Sequence, residues 1–445
     1  MTAYLLQRAW VEATFRDDVL VEVEDGRFTS VTPDADPPRA VPVRGLVVPG
    51  LANTHSHAFH RALRGRTQRE RGSFWTWREQ MYAVGVRLDP DTYLALARAT
   101  YREMAAAGIT CVGEFHYLHH QPDGTPYADP DEMGDALVEA ARHAGIRITL
   151  LDTLYLSSGF GAPPERAQVR YSDGSVDAWA SRVDALVTRL RASSANEPGT
   201  HVGAAVHSVR AVPARHLDAV AAWIGERPFH VHLSEQVAEN DACVAAYGVS
   251  PARLIADHGL LRPTTSLVHA THLGEDDIAL IGAAGVFVAF CPTTERDLGD
   301  GIGPSRRLHE AGARLTLGSD SHAVIDLFEE MRAVELDERL ASHRRGHWTA
   351  SQLLTAATAT GHASLGWHDA GAIAAGHRAD LVVLDPASPR TAGTGRDEHT
   401  VVFAAAAEDV RRVMADGRWI VEDGDRASIG RELDEIIGRI WQEQP

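Results

Sequence analysis

The stretch VPGLANTHSHAFH, residues 48–60, follows a short apolar run and carries the histidine pair His55 and His57. The run at residues 46–48 leads into this pair, which predicts a buried strand whose far end opens into a polar site. In an extended segment, side chains two residues apart project to the same face, so both imidazoles can face one ion. A catalytic zinc site uses about three protein ligands and one water position, so two histidines are too few. A simple polar face is an equally good interpretation in a chain with 23 histidines.

Beyond this stretch, short apolar segments alternate with segments of helical periodicity such as residues 92–107 and 131–144. Seven further strands are predicted, at residues 108–115, 146–152, 201–208, 228–234, 265–270, 285–291 and 314–320. Such alternation is typical of parallel strands joined by crossovers, and eight strands favour a closed (β/α)8 TIM barrel, an α/β fold. Active-site residues are then expected at the C-terminal strand ends, covered by the longer loops at residues 58–91, 116–130 and 153–175.

The two ends of the chain read differently, as short strands joined by tight turns. Asp25-Gly26 and Asp416-Gly417 are each placed as a two-residue hairpin turn. Neither end has enough residues for its own core, so we expect both to form one small β-sandwich domain. The predicted domains are residues 1–47 and 369–445 for this small domain, with a closing helix at 429–441, and residues 48–368 for the barrel.

The composition limits the classes of partner. The formal net charge of the 445 residues is −18, which argues against nucleic acid or an anionic membrane as the main partner. The three cysteines match neither a disulfide framework nor a zinc cluster, which favours a reducing compartment. No leader and no membrane-spanning run is apparent, so a cytoplasmic location is expected.

Further candidate ligands lie where a barrel would place them, at strand ends. Strand five ends in His230-Val-His232; either histidine could ligate, but His232 lies nearer the rim and His230 is more typical of a core histidine. Strand six ends at His269, and His272 is interpreted as a loop residue. Strand eight ends in GSDSH, which places Asp320 at the rim. These residue types at four rim positions are the ligands zinc prefers, and they predict a metal site.

The same residues carry a resemblance to a known family. HSH after PG, HxxE from His232 to Glu235, His269 after an apolar strand and SD at Asp320 resemble the amidohydrolase superfamily, and its mononuclear deaminase branch in particular. The ending GAIAAGHRADLVVLD looks like the return into that superfamily's small β-sandwich. Six strings in order are similar to the formimidoylglutamate deiminase family of histidine degradation: HSHAFHRAL, SFWTWREQMY, GEFHYLHH, HSVRAV, HLSEQ and CPTTERDLGDG.

The resemblance implies an activity and a role for individual positions. The expected reaction is hydrolysis of N-formimidoyl-L-glutamate, a small anionic dicarboxylate, to N-formyl-L-glutamate and ammonia, in a homodimer with one divalent metal per chain. By this resemblance the metal ligands are His55, His57, His232 and Asp320; the catalytic residues are Glu235, His269 and Asp320; the substrate-binding residues are His60, Arg78, Tyr117, His207 and Arg210. The family usually has Gln at the position of His60, whose charge is expected to vary with pH.

The residue types suit this chemistry. A His₃Asp site with water fits Zn²⁺ or Fe²⁺, and a bound metal lowers the pKa of water toward about 7. Asp320 can accept the released proton, Glu235 can pass it to the leaving nitrogen, and His269 can hydrogen-bond the new oxygen. Planar guanidinium groups hold carboxylates bidentately, although Arg78 lies among aromatic residues that could instead pack a subunit interface. The glycines of residues 299–303 match no phosphate motif and predict a rim loop.

Two other functions remain open from the sequence. A deaminase of a heterocyclic base or nucleoside derivative would use the same metal cluster, but a neutral base would make poor use of two arginines. A non-catalytic barrel that serves in assembly would be expected to have lost metal ligands, and here the full set is present.

Overall fold

The computed structural model contains two β-sheets surrounded by helices. It describes residues 1–36, 39–68, 72, 74–193, 199–422 and 426–442. Small parts of the predicted domains and of the predicted loop 58–91 lie outside the described residues, namely 37, 38, 69–71, 73, 194–198, 423–425 and 443–445.

The strands are, in chain order, β1 Thr2–Val11, β2 Thr14–Glu24, β3 Arg27–Thr32, β4 Val41–Pro49, β5 Leu51–Ser56, β6 Ile109–His116, β7 Arg147–Leu154, β8 Thr200–Ser208, β9 Phe229–Leu233, β10 Thr265–His269, β11 Phe287–Phe290, β12 Arg314–Leu317, β13 Leu381–Leu384, β14 Val410–Ala415 and β15 Arg418–Val421. The α-helices are α1 Phe74–Gly85, α2 Pro90–Ala106, α3 Glu132–Ala144, α4 Val176–Ser193, α5 Leu217–Ile224, α6 Val237–Tyr247, α7 Pro251–Asp257, α8 Glu275–Ala283, α9 Pro292–Leu298, α10 Ser305–Ala311, α11 Leu327–Ser342, α12 Ala350–Thr355, α13 Gly361–Ser364, α14 Glu398–Phe403 and α15 Arg426–Gln442. Short 3₁₀ segments cover Ala58–Leu63, Arg166–Tyr171, Ala214–His216 and Ala407–Asp409, and a π-turn covers Ala356–Thr360.

Strands β5 to β12 form a parallel sheet in chain order, with helices in the connections. The barrel closes between β5 and the segment that directly follows β12: Ser56 forms a bridge with Asp320, and the backbone N–H of Asp320 donates to the carbonyl of His55 at 3.0 Å. The predicted TIM barrel is therefore confirmed, and this closure brings the end of strand one beside the end of strand eight.

The remaining seven strands form one mixed sheet in the order β15-β14-β13-β4-β1-β2-β3. Both chain ends contribute to it, as predicted. Asp25 and Gly26 have φ values of 49° and 78°, and Asp416 and Gly417 have φ values of 45° and 74°. Two successive left-handed residues match the twist of an antiparallel pair, so both hairpins form where the sequence predicts them.

The apolar run at residues 46–48 does not belong to the barrel strand, which corrects our prediction. It lies in β4, which pairs with β1 and β13 of the mixed sheet, while β5 begins only at Leu51. Gly50 lies between the two sheets, where a Cβ would be 2.2 Å from Oγ1 of Thr110 and 2.8 Å from Cβ of Asp380. Only glycine fits at this point, where the chain passes from the mixed sheet into the barrel. A pattern of apolar residues along the sequence cannot show that the chain passes from one sheet to another.

The closing helix packs against the barrel. Helix α15 buries one apolar face, and Arg102 of α2 forms an ion pair with Glu432 of α15. The indole N–H of Trp441 donates to the carbonyl of Ala62 at 2.9 Å, close to the histidine stretch. None of the helices in the described part of the chain is both long enough and apolar enough to span a membrane.

Candidate metal centre and active site

Three histidines and an aspartate meet at the C-terminal end of the barrel. One ligand atom from each of His55, His57, His232 and Asp320 lies within 4.8 Å of the others, and all four residues are buried. Nε2 of His55 is 3.1 Å from Nε2 of His232. Oδ1 of Asp320 is 3.4 Å from Nε2 of His55 and 3.4 Å from Nε2 of His57. Four ligands bound tetrahedrally at 2.0 to 2.1 Å would be separated by about 3.4 Å, so this spacing fits one divalent ion.

The protonation of these side chains also fits a metal. Nδ1 of His57 lies 3.0 Å from the carbonyl of Phe115, and Nδ1 of His232 lies 2.8 Å from the carbonyl of His207. An N–H donated to each carbonyl leaves the Nε2 lone pair facing the cluster, the usual arrangement for metal-bound imidazole. Burial lowers the pKa of His55, His57 and His232, so the rings are neutral. Burial alone raises the pKa of Asp320, but the adjacent histidines lower it overall and keep it ionised.

Glu235 and His269 lie beside this cluster. Nε2 of His269 is 3.8 Å from Oε1 of Glu235 and 3.7 Å from Oδ2 of Asp320. Its other nitrogen, Nδ1, is 3.4 Å from Oε1 of Glu295, which also accepts from the backbone N–H of Cys291. Burial alone lowers the pKa of His269, but the carboxylates around it, Glu235 first, raise it to about 10. Burial raises the pKa of Glu235, so a carboxyl group that can bind a proton lies beside a protonated imidazole.

Both predicted carboxylate-binding arginines line the same cavity as the cluster. The guanidinium of Arg78 lies over the rings of Trp75 and Tyr82, at 4.8 and 5.4 Å from their centroids. Nε of Arg210 is 3.3 Å from Oε1 of Glu239. The cavity therefore has two cations with different kinds of partner, aromatic rings for Arg78 and a carboxylate for Arg210.

The other predicted substrate-binding residues, His60, Tyr117 and His207, also line this cavity. Nε2 of His60 is 3.1 Å from the hydroxyl of Tyr117. Burial lowers the pKa of His60 to about 3, so the expectation that its charge varies near neutral pH is wrong. The ring is a neutral hydrogen-bonding group, as the family's Gln would be.

The cavity has residues that the sequence analysis did not assign. They are mainly aromatic or apolar, and they include Trp77, Met81, Tyr82, Tyr155, Tyr171 and Leu298. Glu239 and Glu295 were also missed as partners of Arg210 and His269. Glu295 lies in the string CPTTERDLGDG, and Glu239 follows Glu235 by four residues, in the first turn of α6, so both residues lie in or beside segments that the sequence analysis singled out. Of the two doubtful histidines, His230 is buried outside the metal-type cluster, and the backbone N–H of His272 donates to the carbonyl of Ser234.

A second buried group, His116, His119 and Asp152, also has metal-type spacing. Arg182 donates to both oxygens of Asp152, at 2.8 and 2.9 Å, and the indole of Trp179 donates to Oδ1 at 2.8 Å. A guanidinium in contact with the carboxylate already supplies the positive charge that a metal would bring. We therefore interpret this group as a structural ion-pair network.

A (β/α)8 barrel with a His/Asp cluster and a buried acid at its strand ends defines a metal-dependent hydrolase. The chain belongs to the Amidohydrolase family, whose profile matches residues 46–420. It is 38% identical to formimidoylglutamate deiminase of Pseudomonas aeruginosa, over 99% of this chain and 100% of that protein. The similarity supports a hydrolase that acts on C–N bonds, of the deiminase kind, and a divalent metal.

Other relatives act on different substrates. The chain is 29% identical to 5-methylthioadenosine/S-adenosylhomocysteine deaminase of Natronomonas pharaonis, over 95% of this chain and 94% of that one. Among solved structures, an amidohydrolase from Brucella melitensis aligns with a TM-score of 0.90 at 31% identity, over 99% of this chain and 100% of that one.

Proposed function

We propose that this chain is a metal-dependent iminohydrolase that converts N-formimidoyl-L-glutamate and water to N-formyl-L-glutamate and ammonia, in histidine degradation. The observation that carries the proposal is the presence of Arg78 and Arg210 in one cavity with the His/Asp cluster. Two fixed cations suit a dicarboxylate, because guanidinium groups bind carboxylates bidentately and stay charged. The name of the Pseudomonas aeruginosa relative points to the same substrate.

In this proposal His55, His57, His232 and Asp320 hold one divalent ion, most simply Zn²⁺, with Fe²⁺ as the alternative. When bound, the ion supplies a Lewis acid that lowers the pKa of water toward about 7. The three neutral imidazoles and the ionised Asp320 are already in the protonation states that binding requires.

The protein's own residues then manage protons and orientation. Asp320 accepts the proton of the attacking water, and Glu235 carries a proton to the nitrogen that leaves as ammonia. His269, kept protonated by its carboxylate neighbours, donates a hydrogen bond to the oxygen that forms on the formimidoyl carbon. Arg78 and Arg210 hold the two carboxylates, and the leaving nitrogen is thereby kept on the side of Glu235.

Three smaller groups complete the proposed substrate site. His60 and Tyr117, which are within hydrogen-bonding distance of each other, offer neutral polar atoms to a carboxylate beside Arg78 or Arg210. His207, whose pKa is lowered well below its usual range by burial, adds a third neutral group. The homodimeric state and the cytoplasmic location stay predictions from the sequence.

The test is ammonia release across a substrate panel, run with the metal-loaded protein. N-formimidoyl-L-glutamate should be hydrolysed far faster than adenosine, guanine or 5-methylthioadenosine. Preference for any of these heterocycles would replace the proposal by the heterocycle deaminase, for which the relative from Natronomonas pharaonis is the precedent.

A further inference from the structure

Arg210 forms an ion pair with the buried carboxylate of Glu239, a residue with no part in the proposed proton transfers. From the contact between Nε of Arg210 and Oε1 of Glu239, we infer that Glu239 is a positioning residue that aims Arg210 at one substrate carboxylate and thereby sets substrate specificity. The inference rests on the proposed function, because it concerns how that substrate's charge is recognised.

The geometry of the pair places Glu239 closest to the Nε side of the Arg210 guanidinium. The closest atoms of the pair are Oε1 of Glu239 and Nε of Arg210, 3.3 Å apart, in an ion-pair contact outside hydrogen-bonding geometry. A guanidinium offers its donors in a planar fork, so a carboxylate closest to Nε favours orientations in which the outer edge of the fork points away from that carboxylate. Arg210 also lines the cavity, and a carboxylate there can be gripped bidentately by that outer edge.

The burial of Glu239 shows why this contact is strong enough to orient a side chain. Glu239 is 2% exposed, and within the described residues neither of its carboxylate oxygens accepts a hydrogen bond. A buried carboxylate without hydrogen bonds depends on a nearby positive charge, and here Arg210 provides it. Rotating Arg210 away would leave Glu239 buried and unpaired, so other rotamers of Arg210 are disfavoured.

Glu239, which holds Arg210, lies on the same short segment of the chain as the proposed proton carrier Glu235. Glu235 follows β9, Gln236 is the N-terminal flanking residue of α6, and Glu239 lies in the first turn of that helix. Gln236 also donates to Asp300 of the rim loop, which fixes the start of the helix. The proposed proton carrier and the anchor of Arg210 are thus four residues apart on one short segment. The distance between Glu235 and Glu239 therefore sets the distance between the substrate carboxylate that Arg210 binds and the nitrogen that leaves as ammonia.

A competing interpretation is that Glu239 only neutralises a buried arginine and has no effect on which substrate is bound. The two interpretations differ in how a substitution acts on substrates with one carboxylate. N-formimidoyl-4-aminobutanoate lacks the α-carboxylate, and N-formimidoyl-norvaline lacks the side-chain carboxylate. A positioning residue acts through one carboxylate only, whereas a structural residue affects all three substrates alike.

The experiment compares steady-state kinetics of the metal-loaded wild type and Glu239→Gln on these three substrates. With N-formimidoyl-L-glutamate, KM should rise about tenfold while kcat changes by less than about threefold. The increase should persist with one of the two analogues and disappear with the analogue that lacks the carboxylate bound by Arg210. In an Arg210→Met background, Glu239→Gln should add no further increase in KM.

Glu335→Gln is the matched control. Glu335 is a fully buried glutamate that forms an ion pair with Arg339 of the same helix, α11, at 2.6 Å, outside the cavity. Its loss should leave KM unchanged for every substrate. If Glu239→Gln does not fold, Glu239→Asp carries the test, since it keeps the charge and should raise KM less but with the same substrate selectivity.

An equal loss on all three substrates, or an unchanged KM with N-formimidoyl-L-glutamate, would overturn the inference. Failure of the proposed function is seen separately, as a wild-type protein that releases no ammonia from N-formimidoyl-L-glutamate.

Discussion

Replacing Arg78 by methionine should weaken substrate binding without unfolding the protein. Arg78 is half-buried, lies over Trp75 and Tyr82 and lines the cavity. Methionine can occupy the same aromatic surface, so packing is largely kept while the guanidinium is lost. A substrate carboxylate would then enter the cavity without its cation.

The size of the effect follows from burial. Removing one partner of a buried, hydrogen-bonded charge pair costs about 2 to 5 kcal/mol, and the half-buried position of Arg78 favours the lower part of that range. A loss of about 2 to 3 kcal/mol corresponds to a rise in KM of about 30- to 150-fold. Arg78→Lys, which keeps the charge but not the planar fork, should give a smaller rise.

Arg210→Met provides the contrast. It should raise KM by a similar factor, but it also leaves the buried Glu239 without its cation, which costs about 3 to 5 kcal/mol of folding stability. Ammonia-release kinetics and thermal unfolding of both variants separate the two effects. An unchanged KM in Arg78→Met would mean that Arg78 packs against its neighbours and does not bind substrate. An unchanged thermal stability in Arg210→Met would refute the argument that the buried Glu239 depends on the charge of Arg210.

Three further predictions concern the metal, pH and the product. Elemental analysis should find about one divalent ion per chain, and Asp320→Asn should lose more activity than metal, because it removes a proton acceptor as well as a ligand charge. Burial raises the pKa of Asp326 from 3.8 to about 6, so the folded state keeps a proton that the unfolded chain has lost between these values. The free energy of unfolding should therefore fall by up to about 3 kcal/mol as pH rises from 4 to 6. The measurement is thermal unfolding of the wild type and of Asp326→Asn, which lacks the titrating group. A stability difference between the two proteins that does not change with pH would contradict this prediction. In ¹⁸O-labelled water, NMR should show label in the formyl oxygen of N-formylglutamate, whereas formamide and free glutamate would mean that Glu235 protonates the other nitrogen.

Much of the fold follows from local signals in the sequence. The eight apolar segments alternate with helical ones, and the Asp25-Gly26 turn forms a hairpin because both positions accept left-handed backbone. The crossing at Gly50 could not be predicted in the same way. The apolar run before it is buried in one sheet and the run after it in another, and only the three-dimensional packing of Thr110 and Asp380 against Gly50 separates them.

The residues of the candidate site also fall into two groups, those that the sequence could predict and those that it could not. Residues at strand ends, such as His232 and Asp320, are placed by the barrel itself, and the structure brings them together with the histidine pair. Partners that act across space are not placed by any strand. Glu295 reaches His269 from α9, and Glu239 reaches Arg210 from α6. The neutral state of His60 depends on its burial beside residues distant in the sequence, such as Trp77 and Tyr117, which no spacing in the sequence reveals.

The two arginines that line the cavity have different kinds of partner. The Arg78 guanidinium lies over the rings of Trp75 and Tyr82, whose faces attract a cation. Arg210 is paired with a buried carboxylate, which fixes its direction. A linear dicarboxylate has two anionic groups, and each of these two arginines can bind one of them. An uncharged heterocycle has no carboxylate for either arginine, so the two cations support the linear dicarboxylate of the proposed function on electrostatic grounds.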